Sequence, residues 1–319
     1  MKRFFALLTL ALVACESSPT APEVEPAISE ENILAHLEVL AHDSMFGRRG
    51  GSEYELAAAE YIREELVELG LEPGTPGYLQ TFEIPFPVGG QSGLTSQNVL
   101  GVIPGAGALA AEWLVIGAHY DHVGYEQVDP DSVVVYNGAD DNASGTALLL
   151  ELARNLAAYA ATSSGGPNGR RSIMVQAYGS EELGLVGSNY FCEQPTVSMT
   201  SVVAMVNFDM VGRLSDNGLM LIGASSSAQW NLIVARANRE SLPIVYTDGG
   251  LMDRSDQACF YGAQKPVLFF HTGTHPQYHQ PTDDVWLIDS DGMVSIGYLA
   301  VGLLMDLAER GNPPAFAGF

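Results

Sequence analysis

Cysteine is scarce in this 319-residue chain. The three present, Cys15, Cys192 and Cys259, form no CxxC pair, which excludes a structural cysteine–zinc site. Positive charge is also short: 14 Lys and Arg stand against 38 Asp and Glu, a formal net charge of −24. Nucleic acid is therefore excluded as a partner, because phosphate binding needs a basic patch. The same acidity repels anionic lipid headgroups and favours solubility. Apolar residues are plentiful, with 47% hydrophobic and 9% aromatic. That is enough for a large core and argues against global disorder. There is no internal repeat, and no linker divides the chain after residue 28.

The N-terminus accounts for the first cysteine. Lys2-Arg3 is a basic region, Phe4 to Val13 an apolar run too short to span a bilayer, and Leu12-Val-Ala-Cys15 closes it. The pattern resembles a bacterial lipobox, in which cleavage before the cysteine is coupled to its lipidation. An ordinary signal peptide with a chance cysteine is the alternative. Glu16 in place of Asp leaves the usual inner-membrane retention signal missing. The expected organisation is a lipoprotein signal peptide over 1–14, a disordered tether over 15–27 and a single catalytic domain over 28–319. The protein would face the periplasm or the cell surface, touching membrane only through lipidated Cys15. In that oxidising setting Cys192 and Cys259 could pair, although two separate buried thiols fit the sequence equally well.

Ser29 before Glu30-Glu31 is a good N-cap, and Ile33, Leu34, Leu37 and Leu40 recur at helical spacing. A second helix is predicted over Glu53 to Leu69, ended by Gly70. Between them Phe46-Gly-Arg48-Arg49-Gly-Gly-Ser52 reads as a turn with solvated or ion-paired arginines. Strand-like runs cover 80–87, 97–103, 113–116, 172–178, 202–208, 219–222, 244–246 and 267–270. Helices are predicted over 146–161, 187–193, 226–240 and 293–308. This alternation predicts an α/β fold, a three-layer α/β/α sandwich on a mixed, centrally parallel sheet.

Polar clusters follow four of the apolar runs. They are Gly117-Ala-His119-Tyr-Asp121-His122 with Gly138-Ala-Asp140-Asp141-Asn142-Ala-Ser-Gly145, then Ser180-Glu181-Glu182, Asn207-Phe-Asp209, and Tyr278-His279-Gln-Pro-Thr-Asp283-Asp284. Strand carboxyl ends are where an α/β sheet opens to its ligands. His119, Asp141, Glu182, Asp209 and His279 offer two imidazoles and three carboxylates, a set that suits zinc. Five donors exceed one catalytic site but suffice for two ions if one carboxylate bridges. Glu181 and Glu182 are adjacent, so on an extended backbone they face opposite ways: one can bind metal while the other reaches a water.

The motifs AHYDH, GADDNASG, SEELGLVGS, NFDMVG and YHQPTDD occur in the order and spacing of the co-catalytic di-zinc aminopeptidases, metallopeptidase family twenty-eight, which the sequence resembles from about Ile33 onward. Gly47, Arg48, Gly51 and Ser52 resemble a pattern of its secreted bacterial members. The resemblance implies two zinc ions per chain, with His119 and Asp209 on one, Glu182 and His279 on the other, and Asp141 between them. It also implies Glu181 as general base, Asp121 as the carboxylate that orients His119, and Tyr278 as a phenol that helps the oxyanion. His122, Asp140, Asp283 and Asp284 read as supporting residues, His271 and His275 as pocket lining or surface, and His36 and His42 as structural. Gln257 replaces the histidine of a Ser-Asp-His motif near the family's substrate pocket. The activity implied is hydrolysis of N-terminal residues from peptides. A glutaminyl cyclase or carboxypeptidase of the same superfamily is the alternative, and an inactive binding homologue a further one. A monomer is the favoured oligomeric state.

Overall fold

The computed structural model describes residues 25–248 and 250–318. The expected signal peptide, lipobox and most of the expected tether fall outside these residues. Ser29 caps the first helix, α1 (Glu30–Leu40), by accepting from the Asn32 amide, and Ser52 caps α2 (Glu53–Glu68) by accepting from Glu55. Gly70, at φ +72°, ends α2 as its sequence predicts.

Nine strands make the main sheet: β1 (Glu72–Pro73), β2 (Leu79–Glu83), β3 (Thr95–Ile103), β4 (Trp113–His119), β5 (Ser172–Tyr178), β6 (Val202–Phe208), β7 (Leu219–Ile222), β8 (Ile244–Thr247) and β9 (Val267–His271). Their order is β1-β3-β5-β4-β6-β9-β7-β8, with β2 also paired to β3. β5, β4, β6 and β9 are mutually parallel, while β3 and β7 flank them in antiparallel sense. The mixed sheet with a parallel centre is thus the predicted one.

Alternation along the central strands sends side chains to two cores. Leu114, Ile116 and Ala118 of β4, with Ala204, Val206 and Phe208 of β6, face α1, α2, α3 (Gly145–Thr162), α5 (Trp230–Ala237) and α7 (Ser290–Glu309). Val115, Met174 and Met205 face the opposite layer, formed by α4 (Val186–Glu193) and α6 (Gln257–Gly262) through Phe191 and Phe260. A Cys192–Cys259 disulfide joins α4 to α6 across this second layer and settles the pairing left open by the sequence. The helix predicted over 226–240 is shorter than its apolar pattern. Asn238 ends it by exchanging hydrogen bonds with the main chain of Leu242.

Residues 123–137, outside every predicted strand run, contain a β-hairpin of Gly124–Asp129 and Ser132–Tyr136. Its base packs through Tyr125 on Phe46 and Tyr54, with ring centroids 5.2 and 6.3 Å away.

Candidate metal centre

The four parallel strands end at one edge of the sheet, and each delivers a donor there. His119 is the last residue of β4; Glu181 and Glu182 follow β5, Asp209 follows β6, and His279 lies on the loop after β9. Asp141 comes from the turn that starts α3. Gly138 opens that turn at φ +57°, and a Cβ there would sit 2.5 Å from the His122 ring. Non-glycine residues with positive φ cluster beside the donors: Ser180 at 56°, Met210 at 54° and His279 itself at 55°. Such conformations persist only where the surroundings enforce them, as at functional sites.

Asp141 stands between two groups. His119 Nε2 is 3.4 Å from Asp141 Oδ1 and 3.4 Å from Asp209 Oδ1. His279 Nε2 is 2.9 Å from Asp141 Oδ2 and 3.1 Å from Glu182 Oε1. His119 with Asp141 and Asp209, and His122 with Asp141, Glu182 and His279, each offer ligand atoms within 4.8 Å of one another. His279 Nε2 and Asp209 Oδ1 are buried and make no hydrogen bond despite these short distances. Donor atoms that converge without hydrogen-bond geometry fit a cation between them, and the donor chemistry fits zinc. Glu181 and Glu182 diverge as expected, but on a turn beyond the strand instead of an extended backbone: Glu181 Oε2 is 4.0 Å from His119 Nε2, while Glu182 turns to His279.

Electrostatics agree with a cation-seeking site. Burial opposes charge on His279, yet Asp141 and Glu182 lift its pKa to about 10. Burial likewise works against the Asp141 carboxylate, and the His119 and His279 rings overcome it, holding the group well below the ordinary value. Glu181 is pushed well above the ordinary range by burial, which His119 opposes and the neighbouring Asp256, Asp209 and Glu182 reinforce.

Several supporting residues differ from their sequence reading. The Asp121 carboxylate is 3.7 Å from His119 Nδ1, and the nearer partner of that nitrogen, at 3.2 Å, is the Asp121 carbonyl. The carboxylate instead accepts from the amides of Glu181 and Glu182, at 2.8 and 3.2 Å. His122 is a hydrogen-bonded loop histidine as read, but its Nδ1 is 3.0 Å from Glu182 Oε1, inside the donor cluster. Asp283 supports the Asp141 turn: Oδ2 accepts from the amides of Asp140 and Asp141, and Oδ1 from Arg213. His275 is not pocket lining; its side chain is 3% exposed and its Nε2 lies 3.1 Å from Asp140 Oδ2. His271 is buried and donates from Nδ1 to the Asp209 carbonyl. Gln257 is buried among Asn207, Leu251 and Met252, so it packs behind the site instead of meeting substrate. Tyr278 is 40% exposed and stacks on His279 with ring centroids 3.9 Å apart.

Arg48 is the largest departure. The turn arginine read as solvated or ion-paired is fully buried and donates to the carbonyls of Leu40, Tyr120, Asn137 and Gly138. Two further buried acids went unremarked as site residues. Glu55 accepts from Ser96, Ser180 and Gly51. Asp256, buried with both oxygens unpartnered, is lifted to about 7, chiefly by burial. Only the motif around Asp256 could have signalled it.

The chain is 25% identical over 311 residues to a probable leucine aminopeptidase of Arthroderma otae, an alignment covering 93% of this chain and 78% of that one. It is 30% identical over 212 residues to leupeptin-inactivating enzyme 1 of Streptomyces exfoliatus, covering 65% and 42% of the two. Among solved structures, a zinc aminopeptidase from Bacillus subtilis superposes with a TM-score of 0.72 at 17% identity, covering 90% of this chain and 97% of that one. A glutaminyl cyclase from Bacteroides thetaiotaomicron superposes at 0.66 with 16% identity, covering 88% and 99%. The fold is therefore shared by both activities. Residues 98–304 match the family model of peptidase family M28, and the chain belongs to that family.

Proposed function

We propose that this protein is a zinc-dependent aminopeptidase that removes residues from the free N-termini of peptides. The observation that carries the reading is the placement of Asp141, with Oδ1 turned to His119 and Oδ2 to His279. Two cations sharing one carboxylate account for it. His119 and Asp209 would hold one zinc, Glu182 and His279 the other, and Asp141 both. When bound, the zinc pair supplies Lewis-acid polarisation of the scissile carbonyl and a lowered pKa for the attacking water.

Glu181 then has one task, performed at its carboxylate. It accepts the proton of the attacking water and delivers it to the leaving amine. Its raised pKa suits a base that must return its proton. Asp121 fixes the backbone on which Glu181 turns. Tyr278, exposed and stacked on His279, would meet the substrate oxygen. Asp256, buried with both oxygens unpartnered, and the acids beside it favour a free α-ammonium. An apolar residue at the N-terminus is the proposed preference, supported by the leucine aminopeptidases among the relatives.

The test is a panel of leucyl peptides with free or acetylated N-termini, with and without chelator. Cleavage of the free peptides alone, abolished by chelator and restored by zinc, supports the reading. Equal cleavage of blocked peptides, or cyclisation of N-terminal glutamine without hydrolysis, contradicts it.

We also propose export and lipid anchoring at Cys15. The Cys192–Cys259 disulfide supports an oxidising compartment. Replacing Cys15 with Ala should move the protein from the membrane to the soluble fraction, and unchanged fractionation contradicts the anchor.

A further inference from the structure

We propose that Arg48 is the resident counter-charge of the donor cage, a positioning residue that holds the acidic donors together while no metal is bound. The inference rests on the metal reading above, but it concerns a residue outside the matched family region of 98–304.

The Arg48 side chain enters from the turn between α1 and α2 and is 0% exposed. Its four hydrogen bonds all go to main-chain carbonyls. Nε donates to Tyr120, which lies between His119 and Asp121, at 2.8 Å. Nη1 donates to Asn137 at 2.7 Å and to Leu40, and Nη2 to Gly138 at 3.1 Å. Asn137 and Gly138 lead directly into Asp140 and Asp141, so one planar fork fastens both metal-facing segments to the end of α1.

Carbonyl dipoles take four of the five donors of that head but do not neutralise it. A buried guanidinium with no carboxylate in its hydrogen-bond shell keeps a full charge in a low-dielectric setting, where its field reaches far. The acids within that field are those of the site. Asp121, Asp141, Asp283 and Glu182 hold its charge against burial, which draws its pKa only to about 10. Arg213, the other buried arginine at this edge, is already paired with Asp283.

Without metal, Asp141 and Asp209 converge on the His119 ring and Asp141 and Glu182 on the His279 ring, with Asp121 beside them, and this excess of acids over rings works to open the cage. Arg48 offsets part of that repulsion permanently. Once two dications fill the cage, the same positive charge has less to compensate. By linkage, it stabilises the empty cage more than the filled one and so weakens metal affinity somewhat. A residue that only ties loops together would stabilise both forms alike.

Thermal unfolding of the full chain, chelated and zinc-loaded, separates the two roles. Arg48→Met removes charge and fork; Arg48→Lys keeps the charge with a poorer fit. The Met variant should lose roughly 5–10 °C more in chelator than in zinc, and the Lys variant about the same in both. Equal losses for Met in the two conditions would overturn the inference and leave the metal reading standing. A wild-type protein that binds no zinc overturns the metal reading, and this inference with it. Should the Met variant not fold, amide hydrogen exchange of chelated wild-type protein decides. Protection of the Asp140, Asp141, Glu181 and Glu182 amides near the zinc-loaded level supports a cage held without metal, and exchange at open-loop rates overturns it.

Discussion

The Asp121 carboxylate receives the Glu181 amide at 2.8 Å and the Glu182 amide at 3.2 Å. One side chain at the end of β4 therefore sets the backbone of both the proposed base and a proposed zinc ligand beyond the neighbouring strand. The same carboxylate stays 3.7 Å from His119 Nδ1, whose nearer partner, at 3.2 Å, is the Asp121 carbonyl. Asp121→Asn puts an amide donor where two N–H groups need acceptors. Supporting partners of metal sites are worth about 10–100-fold in affinity or activity. The variant should stay folded and lose kcat/KM within that range; steady-state kinetics on a leucyl anilide checks it.

Glu181→Gln keeps size and hydrogen-bonding but removes the base. The variant is expected to retain zinc and lose turnover on the order of 10²–10⁴-fold. Metal analysis and kcat on one preparation test this, and near-full activity would dismiss the assigned role.

Much of the site was legible because its donors sit where strands end. Apolar runs such as 113–116 and 202–208 locate β4 and β6, and the His and Asp clusters follow at once. The supporting shell was not legible. Arg48 in a Gly-Arg-Arg-Gly turn looks solvated, because its partners at Leu40, Tyr120, Asn137 and Gly138 come from three separate stretches of chain. Asp283 bonds to residues more than a hundred positions earlier. The hairpin over 124–136 escaped because its acidic and valine residues do not alternate by face, most being partly or fully exposed.

The Cys192–Cys259 bond clamps α4, which follows the Glu181 turn, to α6, which follows Asp256. It closes a loop with sequence separation 67. Replacing both cysteines with serine should lower stability by about 2–4 kcal/mol, measured by urea unfolding. A reductant should reproduce the effect on the parent protein only.

Glu55 gives a pH dependence with a definite sign. Burial, reinforced by Asp121 and opposed by its bonds to Ser96, Gly51 and Ser180, raises its pKa to about 8 from 4.5. The folded state thus holds a proton that the unfolded chain releases between those values. Its contribution to stability falls as pH rises from about 4.5 and levels off above about 8. Glu55→Gln cannot titrate, so its stability relative to the parent should improve by roughly 1–3 kcal/mol between pH 5 and pH 8. Urea unfolding at the two pH values checks this; a constant difference between the proteins contradicts it.

The central claim is that Asp141 serves two metal ions at once, and zinc content per chain tests it most directly. Native mass spectrometry of zinc-loaded protein should find two ions in the parent, one in His279→Ala and essentially none in Asp141→Ala. An Asp141→Ala protein that is folded and still holds one ion at full occupancy, or a parent that binds only one, would contradict the account.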